Sequence, residues 1–240
     1  MIAVARADDP NLQILQLAAT TLGDLCDSLV FVGGCATGLL VTAVRAQAIR
    51  ATQDVDVVVA VASVQEYHAI EQKVAKCGFA HDTSAGAPIC RWVRQGLRLD
   101  LMPCESRILG FSNRWYPLAI ETAGRVELGF GLSIRLVSPP VFLGTKLEAF
   151  HDRGRGDFLA SHDLEDIITV VDGRAELIEE VRIASKELRG YIAAEIQGLL
   201  SKSDFLDALP GHLPGDAGSQ ARLPEIMSRL RLLSAIHRPA

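Results

Sequence analysis

Apolar residues Leu15, Ala18, Leu22 and Leu25 recur at spacings of three and four, which predicts an amphipathic helix over residues 11 to 26. A short apolar run, Leu29 to Val32, reads as a strand that ends at Gly33-Gly34. The proline-free apolar stretch Ala36 to Val44 predicts a helix fed directly by that glycine pair. Asp54 to Val59 alternates acidic and apolar residues and reads as a strand buried on at least one face, and Tyr67, Ile70, Val74 and Cys77 mark a second amphipathic helix over 64 to 77. Residues 88 to 94 and 97 to 102 form two β-rich runs separated by Gln95-Gly96, and Val126 to Leu128 with Ser133 to Val137 flank Gly129 and Gly131; each pair predicts a hairpin.

Beyond Pro139-Pro140 the period changes. Phe142 to His151, Asp163 to Val171, Ala175 to Leu188, Tyr191 to Leu200 and Leu223 to Ile236 all carry helical spacing, and the Pro- and Gly-rich stretch Leu209 to Gly218 reads as a loop. The expected fold class is α/β, or α+β. A mixed β-sheet core flanked by helices occupies residues 1 to 138, and a mostly helical region occupies 139 to 240.

Composition narrows the class. With 49% hydrophobic residues the 240-residue chain can build a full core, and its mean hydropathy of +0.22 comes from short runs broken by charge rather than from a stretch of about 20 apolar residues. No membrane span is expected. The opening residues lack the pattern of a secretory signal, and five cysteines without a C-x-x-C pair argue against a disulfide framework or a zinc ribbon, so a cytoplasmic location is expected. A formal net charge of −5 disfavours a protein that coats nucleic acid. Arg91, Arg94, Arg98, Arg107 and Arg114 are a local concentration of cations, readable either as a basic patch or as a solvated strand-and-loop surface.

The carboxylates carry the candidate chemistry. Asp54 and Asp56 are two apart on a strand, so both point to one face while Val55 and Val57 point to the other. Two neighbouring carboxylates repel unless a cation stands with them, and magnesium suits the role because it takes one or two carboxylates and completes its shell with water and phosphate oxygens. A merely solvated acidic strand end gives the same D-x-D pattern. Asp100, flanked by Leu99 and Leu101, is the lone acid of a second strand; if the two strands are neighbours, three carboxylates converge and can hold two magnesium ions for in-line phosphoryl chemistry. Gly33-Gly34 lets backbone N–H groups approach a phosphate, although a simple tight turn needs glycines as well. Thr37 would add a hydroxyl there, or cap the helix.

Taken together, Val32-Gly33-Gly34, Thr52-Gln53-Asp54-Val55-Asp56 and Leu99-Asp100-Leu101 resemble, in order and in strand context, the DNA polymerase β-like nucleotidyltransferase superfamily. Within it the chain is most similar to the abortive-infection type of nucleotidyltransferase, the toxin half of certain toxin–antitoxin systems. Lys146-Leu147-Glu148-Ala149 and Asp163-Leu164-Glu165-Asp166 resemble that group's downstream K-L-x-A and D-x-x-D segments. The likeness spans roughly residues 29 to 172. It implies that Asp54 and Asp56 bind metal, that Asp100 completes the metal site or serves as base for the acceptor hydroxyl, and that Gly33 and Gly34 cradle the phosphates of a nucleoside triphosphate. It further implies that Lys146 touches a phosphate, with Asp163 near the catalytic face and Asp166 beside it. A surface lysine on an amphipathic helix is the plainer reading of Lys146.

One departure stands out. Many superfamily members have Gly-Ser at the phosphate turn, whereas this chain has Gly34 followed by Cys35, which leaves phosphate contact to backbone N–H groups or Thr37. The resemblance implies transfer of a nucleoside monophosphate to a hydroxyl of a tRNA or other RNA, a protein or a small molecule, with an antitoxin protein as a possible partner. An antibiotic-type adenylyltransferase and a non-catalytic nucleotide-sensing module share the same motifs. Residues 174 to 240 match no motif of the group.

Overall fold

In the computed structural model, which describes residues 3–4, 8–43, 49–154 and 156–236, eight strands form one mixed sheet in the order β1-β7-β8-β2-β3-β6-β5-β4. They are β1 (Ala3–Val4), β2 (Leu29–Val32), β3 (Asp54–Val59), β4 (Ala80–His81), β5 (Arg91–Arg94), β6 (Leu97–Pro103), β7 (Gly124–Gly129) and β8 (Leu132–Leu136). Cα packing divides the chain into two compact units, Met1–Leu39 with Arg50–Ser138, and Leu40–Ile49 with Pro139–Ala240.

The sheet lies in the first unit, and its centre pairs β2 antiparallel to β3 and β3 parallel to β6. Val55, Val57, Leu99 and Leu101 are fully buried, as strand alternation requires of one face. Helix α1 (Leu12–Leu22) packs its buried Leu15, Ala18, Ala19 and Leu22 across β3, β6, β7 and β8. Ahead of it, Asn11 is wholly buried; its Nδ2 donates to the Arg50 carbonyl at 2.9 Å and its Oδ1 accepts from the Thr52 amide at 2.8 Å. That clasp fixes the chain entering β3. After the one-turn helix α2 (Thr37–Leu40), helix α3 (Val64–Lys76) starts at Ser63, whose hydroxyl accepts from the Glu66 amide, and anchors its buried Tyr67 by donating the phenol to the Leu101 carbonyl at 2.8 Å. Helices α4 (Ser106–Leu109) and α5 (Tyr116–Thr122) follow β6, and the Tyr116 hydroxyl donates to Met102 Sδ at 3.1 Å.

The second unit is helical among its described residues: α6 (Pro139–Arg153), α7 (His162–Gly173), α8 (Leu177–Ile183), α9 (Lys186–Leu200), α10 (Ser203–Ala208), α11 (Ala217–Gln220) and α12 (Leu223–Ala235). Its core joins Phe142 and Leu143 to Leu164, Ile168, Ile192, Ile196, Ile226 and Leu230, all essentially without solvent exposure, each burial worth roughly 1.5–3 kcal/mol. No described helix is long and apolar enough to cross a membrane.

The mixed sheet with flanking helices and a helical C-terminal region agrees with the sequence reading. Some details differ. The helix predicted over Ala36 to Val44 is only α2, with Gly34–Ala36 a 3-10 turn before it; the amides of Thr42 and Ala43 instead donate to the Gly173 carbonyl, at 2.9 and 2.8 Å, and Val44 lies outside the described residues. The helix predicted over 175 to 188 breaks at Ala184, because Ser185 caps α9 by accepting from the Leu188 amide at 3.3 Å. The predicted loop 209 to 218 contains a 3-10 turn, Leu209–His212, and the first residues of α11.

Candidate functional site

Strand register assembles the acidic face. Asp56 stands opposite Asp100 in the parallel β3–β6 pair, with Asp54 opposite Arg98; the β2–β3 pair places Val32 opposite Asp56, so the chain enters Gly33 beside that carboxylate. Gly33 has φ 70°, a conformation that favours glycine, and a Cβ built on it would overlap the Asp56 carboxylate. The turn and the three acids therefore share one side of the sheet. Asp100 is buried, and Asp54 and Asp56 are half-buried.

A cation already stands among them. The two-residue turn Gln95-Gly96, with φ 47° and 86°, has the doubly positive φ of a tight hairpin turn and sets Arg91 opposite Asp100 across β5–β6. Arg91 Nε donates to Asp100 Oδ1 at 2.8 Å and Nη2 to Asp100 Oδ2 at 2.7 Å, while the same Nη2 reaches Asp54 Oδ2 at 2.9 Å. Hydrogen bonding to Asp100 pushes the guanidinium pKa up against the opposing effect of burial, with the charges of Asp100, Asp54 and Asp56 adding to the rise. Behind this pair, burial pushes the Cys90 thiol up to about 12, and the negative charge of Asp100 adds to the effect.

Among the described residues no group of three or more His, Cys, Asp or Glu side chains is arranged to hold a metal ion. In kind the acids nevertheless suit magnesium: hard carboxylate oxygens on adjacent strands, beside a glycine turn. The Arg91 guanidinium pairs with both Asp54 and Asp100.

Gly34 is buried, and so is Thr37, whose hydroxyl has no hydrogen-bond partner among the described residues. Only one turn of α-helix follows, and at its second residue, Gly38, an added Cβ would overlap the buried Asp9 carboxylate. The positive helix end expected beside the glycines is thus short and has an acid beside it. Lys146 and Asp163 belong to the second unit, where Lys146 Nζ lies 3.1 Å from Asp163 Oδ1 and 2.7 Å from Asp166 Oδ2, all three buried. The lysine is not a surface residue. Asp163 and Asp166, three apart on α7, point the same way to receive it.

Sequence reasoning placed Arg91 in a basic cluster and missed its role as the partner of the acids. The signal was available: Arg91 and Asp100 are each four residues out from the Gln95-Gly96 turn, so a two-residue hairpin makes them cross-strand neighbours. Asp9 beside Gly38 had no comparable signal, because nothing local specifies that contact. No protein-family model matches the chain, and no curated protein matches it.

Proposed function

We propose that the chain is a magnesium-dependent nucleotidyltransferase that moves a nucleoside monophosphate from a nucleoside triphosphate to a hydroxyl on a second substrate, releasing pyrophosphate. The observation that carries this reading is the Asp56–Asp100 register with Gly33 against Asp56, which sets hard anionic ligands beside a backbone turn that tolerates no side chain. Three carboxylates gathered on adjacent strands repel one another and so call for cations beside them.

In this reading Asp54 and Asp56 would hold the magnesium that accompanies the triphosphate, and Asp100 would complete the site on the acceptor side. The bound metal would neutralise phosphate charge and lower the pKa of the attacking hydroxyl. Gly33 leaves room for a phosphate oxygen close to the backbone and, by lacking a side chain, keeps Asp56 in its rotamer. The acceptor oxygen attacks the α-phosphorus, its bond forms as the bond to the pyrophosphate oxygen breaks, and the hydroxyl proton passes to a carboxylate of this face or to water. An RNA or protein acceptor, in a toxin-like setting with an antitoxin partner and in the cytoplasm, follows the motif resemblance; a small-molecule acceptor uses the same chemistry.

The seat of Arg91 between Asp54 and Asp100 favours a second reading, a nucleotide-binding module without turnover. The deciding experiment incubates each α-labelled nucleoside triphosphate with magnesium, cell extract and either wild-type protein or the Asp54→Ala, Asp56→Ala double variant. Label transfer by wild type alone supports the transferase. Nucleotide binding with no transfer to any acceptor supports the module.

A further inference from the structure

Both carboxylate oxygens of Asp100 and one of Asp54 are committed to Arg91. A magnesium ion held by the same two residues would compete with the guanidinium for those oxygens. Arg91 therefore opposes metal binding at these acids. The guanidinium is charged at every accessible pH, so it cannot make way by losing its proton and must swing out. It has the means to do so: its side chain retains 15% of its exposure, and β5 is separated from the sheet edge only by the two-residue β4.

From this competition, and resting on the transferase reading above, we propose that Arg91 is the resident counter-ion of the acidic face. It holds the place between Asp54 and Asp100 in the nucleotide-free protein and yields it to the divalent ion that arrives with the nucleotide. The triphosphate supplies both things the exchange needs: oxygen ligands for the ion and a new anionic partner for the displaced guanidinium. Metal and nucleotide binding are therefore coupled, and the free protein binds metal weakly. Arg91 is a positioning residue in this scheme, acting on the ligands rather than on the substrate's reacting atoms.

The test is Mn2+ titration of the full chain, followed by electron paramagnetic resonance, for wild type, Arg91→Gln and Arg91→Lys, with and without a non-hydrolysable triphosphate analogue. Without the analogue, Arg91→Gln should bind Mn2+ at least about tenfold more tightly than wild type, with Arg91→Lys between them, because a single ammonium cannot grip both Asp100 oxygens. The analogue should tighten the wild type far more than Arg91→Gln. Thermal unfolding supplies a second readout: Arg91→Gln should melt lower than wild type in chelator and recover with Mn2+, whereas wild type should barely respond. If Arg91→Gln does not fold, Arg91→Lys decides by the same comparison with wild type. Equal or weaker Mn2+ binding by the variants, alongside normal analogue-dependent binding in all proteins, overturns the counter-ion role and leaves the transferase reading standing. Absence of Mn2+ binding in every protein, even with the analogue, overturns both.

Discussion

Gly33 leaves no room for a side chain beside Asp56: the space a Cβ would need is already filled by the Asp56 carboxylate. Gly33→Ala should therefore cost about 1–3 kcal/mol of stability through backbone strain at φ 70° and push Asp56 out of its rotamer. Nucleotidyl transfer should fall by about a hundredfold or more, as for a displaced catalytic group. Urea unfolding and the label-transfer assay measure the two effects separately; a variant as active as wild type would remove Gly33 from the site.

Neutralising the acids should separate fold from chemistry. Asp54 is 37% exposed and only monodentate to Arg91, so Asp54→Asn should change stability by less than about 1 kcal/mol while abolishing transfer. Asp100 accepts two bonds from Arg91 in a largely buried setting, so Asp100→Asn should cost about 2–3 kcal/mol as well as activity. Denaturant midpoints for the two variants, measured side by side, check the ordering.

How much of this was legible beforehand follows from what a linear pattern can encode. Alternation placed Asp54 and Asp56 on one face and Leu99 and Leu101 on the other side of Asp100, because period-two burial is a local rule. Pairing of β3 with β6 was open until the structure set Asp56 opposite Asp100, since parallel neighbours are chosen by the whole sheet rather than by a turn. The end of α2 was misjudged because Val41 to Ala43 look helical in isolation, whereas the amides of Thr42 and Ala43 donate to the Gly173 carbonyl, far along the chain, instead of continuing the helix. Lys146 read as an exposed lysine or a phosphate ligand; its burial depends on the match between α6 and the i, i+3 acids of α7, a tertiary property.

That buried triad makes its own prediction. Lys146→Met removes the buried cation that bonds to both Asp163 and Asp166 and should destabilise the protein by about 1.5–3 kcal/mol, the scale of a lost charge-assisted hydrogen bond. Urea unfolding of the variant provides the check, and a loss below about 1 kcal/mol would show that the acids are adequately served without the lysine.

Alkaline stability should be set partly by Cys90. Burial, reinforced by Asp100, lifts its thiol from the ordinary 9.0 to about 12 in the folded protein. The unfolded chain therefore releases this proton first, and stability present below pH 9 declines as pH rises toward 12, by at most about 1.4 kcal/mol per pH unit for this one thiol. Cys26, raised to about 11 chiefly by burial, acts in the same direction over a narrower window. Urea midpoints at pH 8, 9.5 and 10.5 should fall progressively in wild type and less steeply in Cys90→Ala; parallel slopes would count against the assignment.

The attachment of residues 40–43 to the helical unit has a practical result for anyone dividing the molecule. Arg174 Nη1 donates to the Leu40 carbonyl at 2.8 Å and the Thr42 hydroxyl donates to Glu176 at 2.8 Å, so a piece of the N-terminal half is stitched to the C-terminal half by bonds that a cut after Ser138 does not release. Fragments severed there are not two free-standing modules: one carries a stretch whose partners lie in the other, and each should be recovered in soluble form only when both are produced in the same cell.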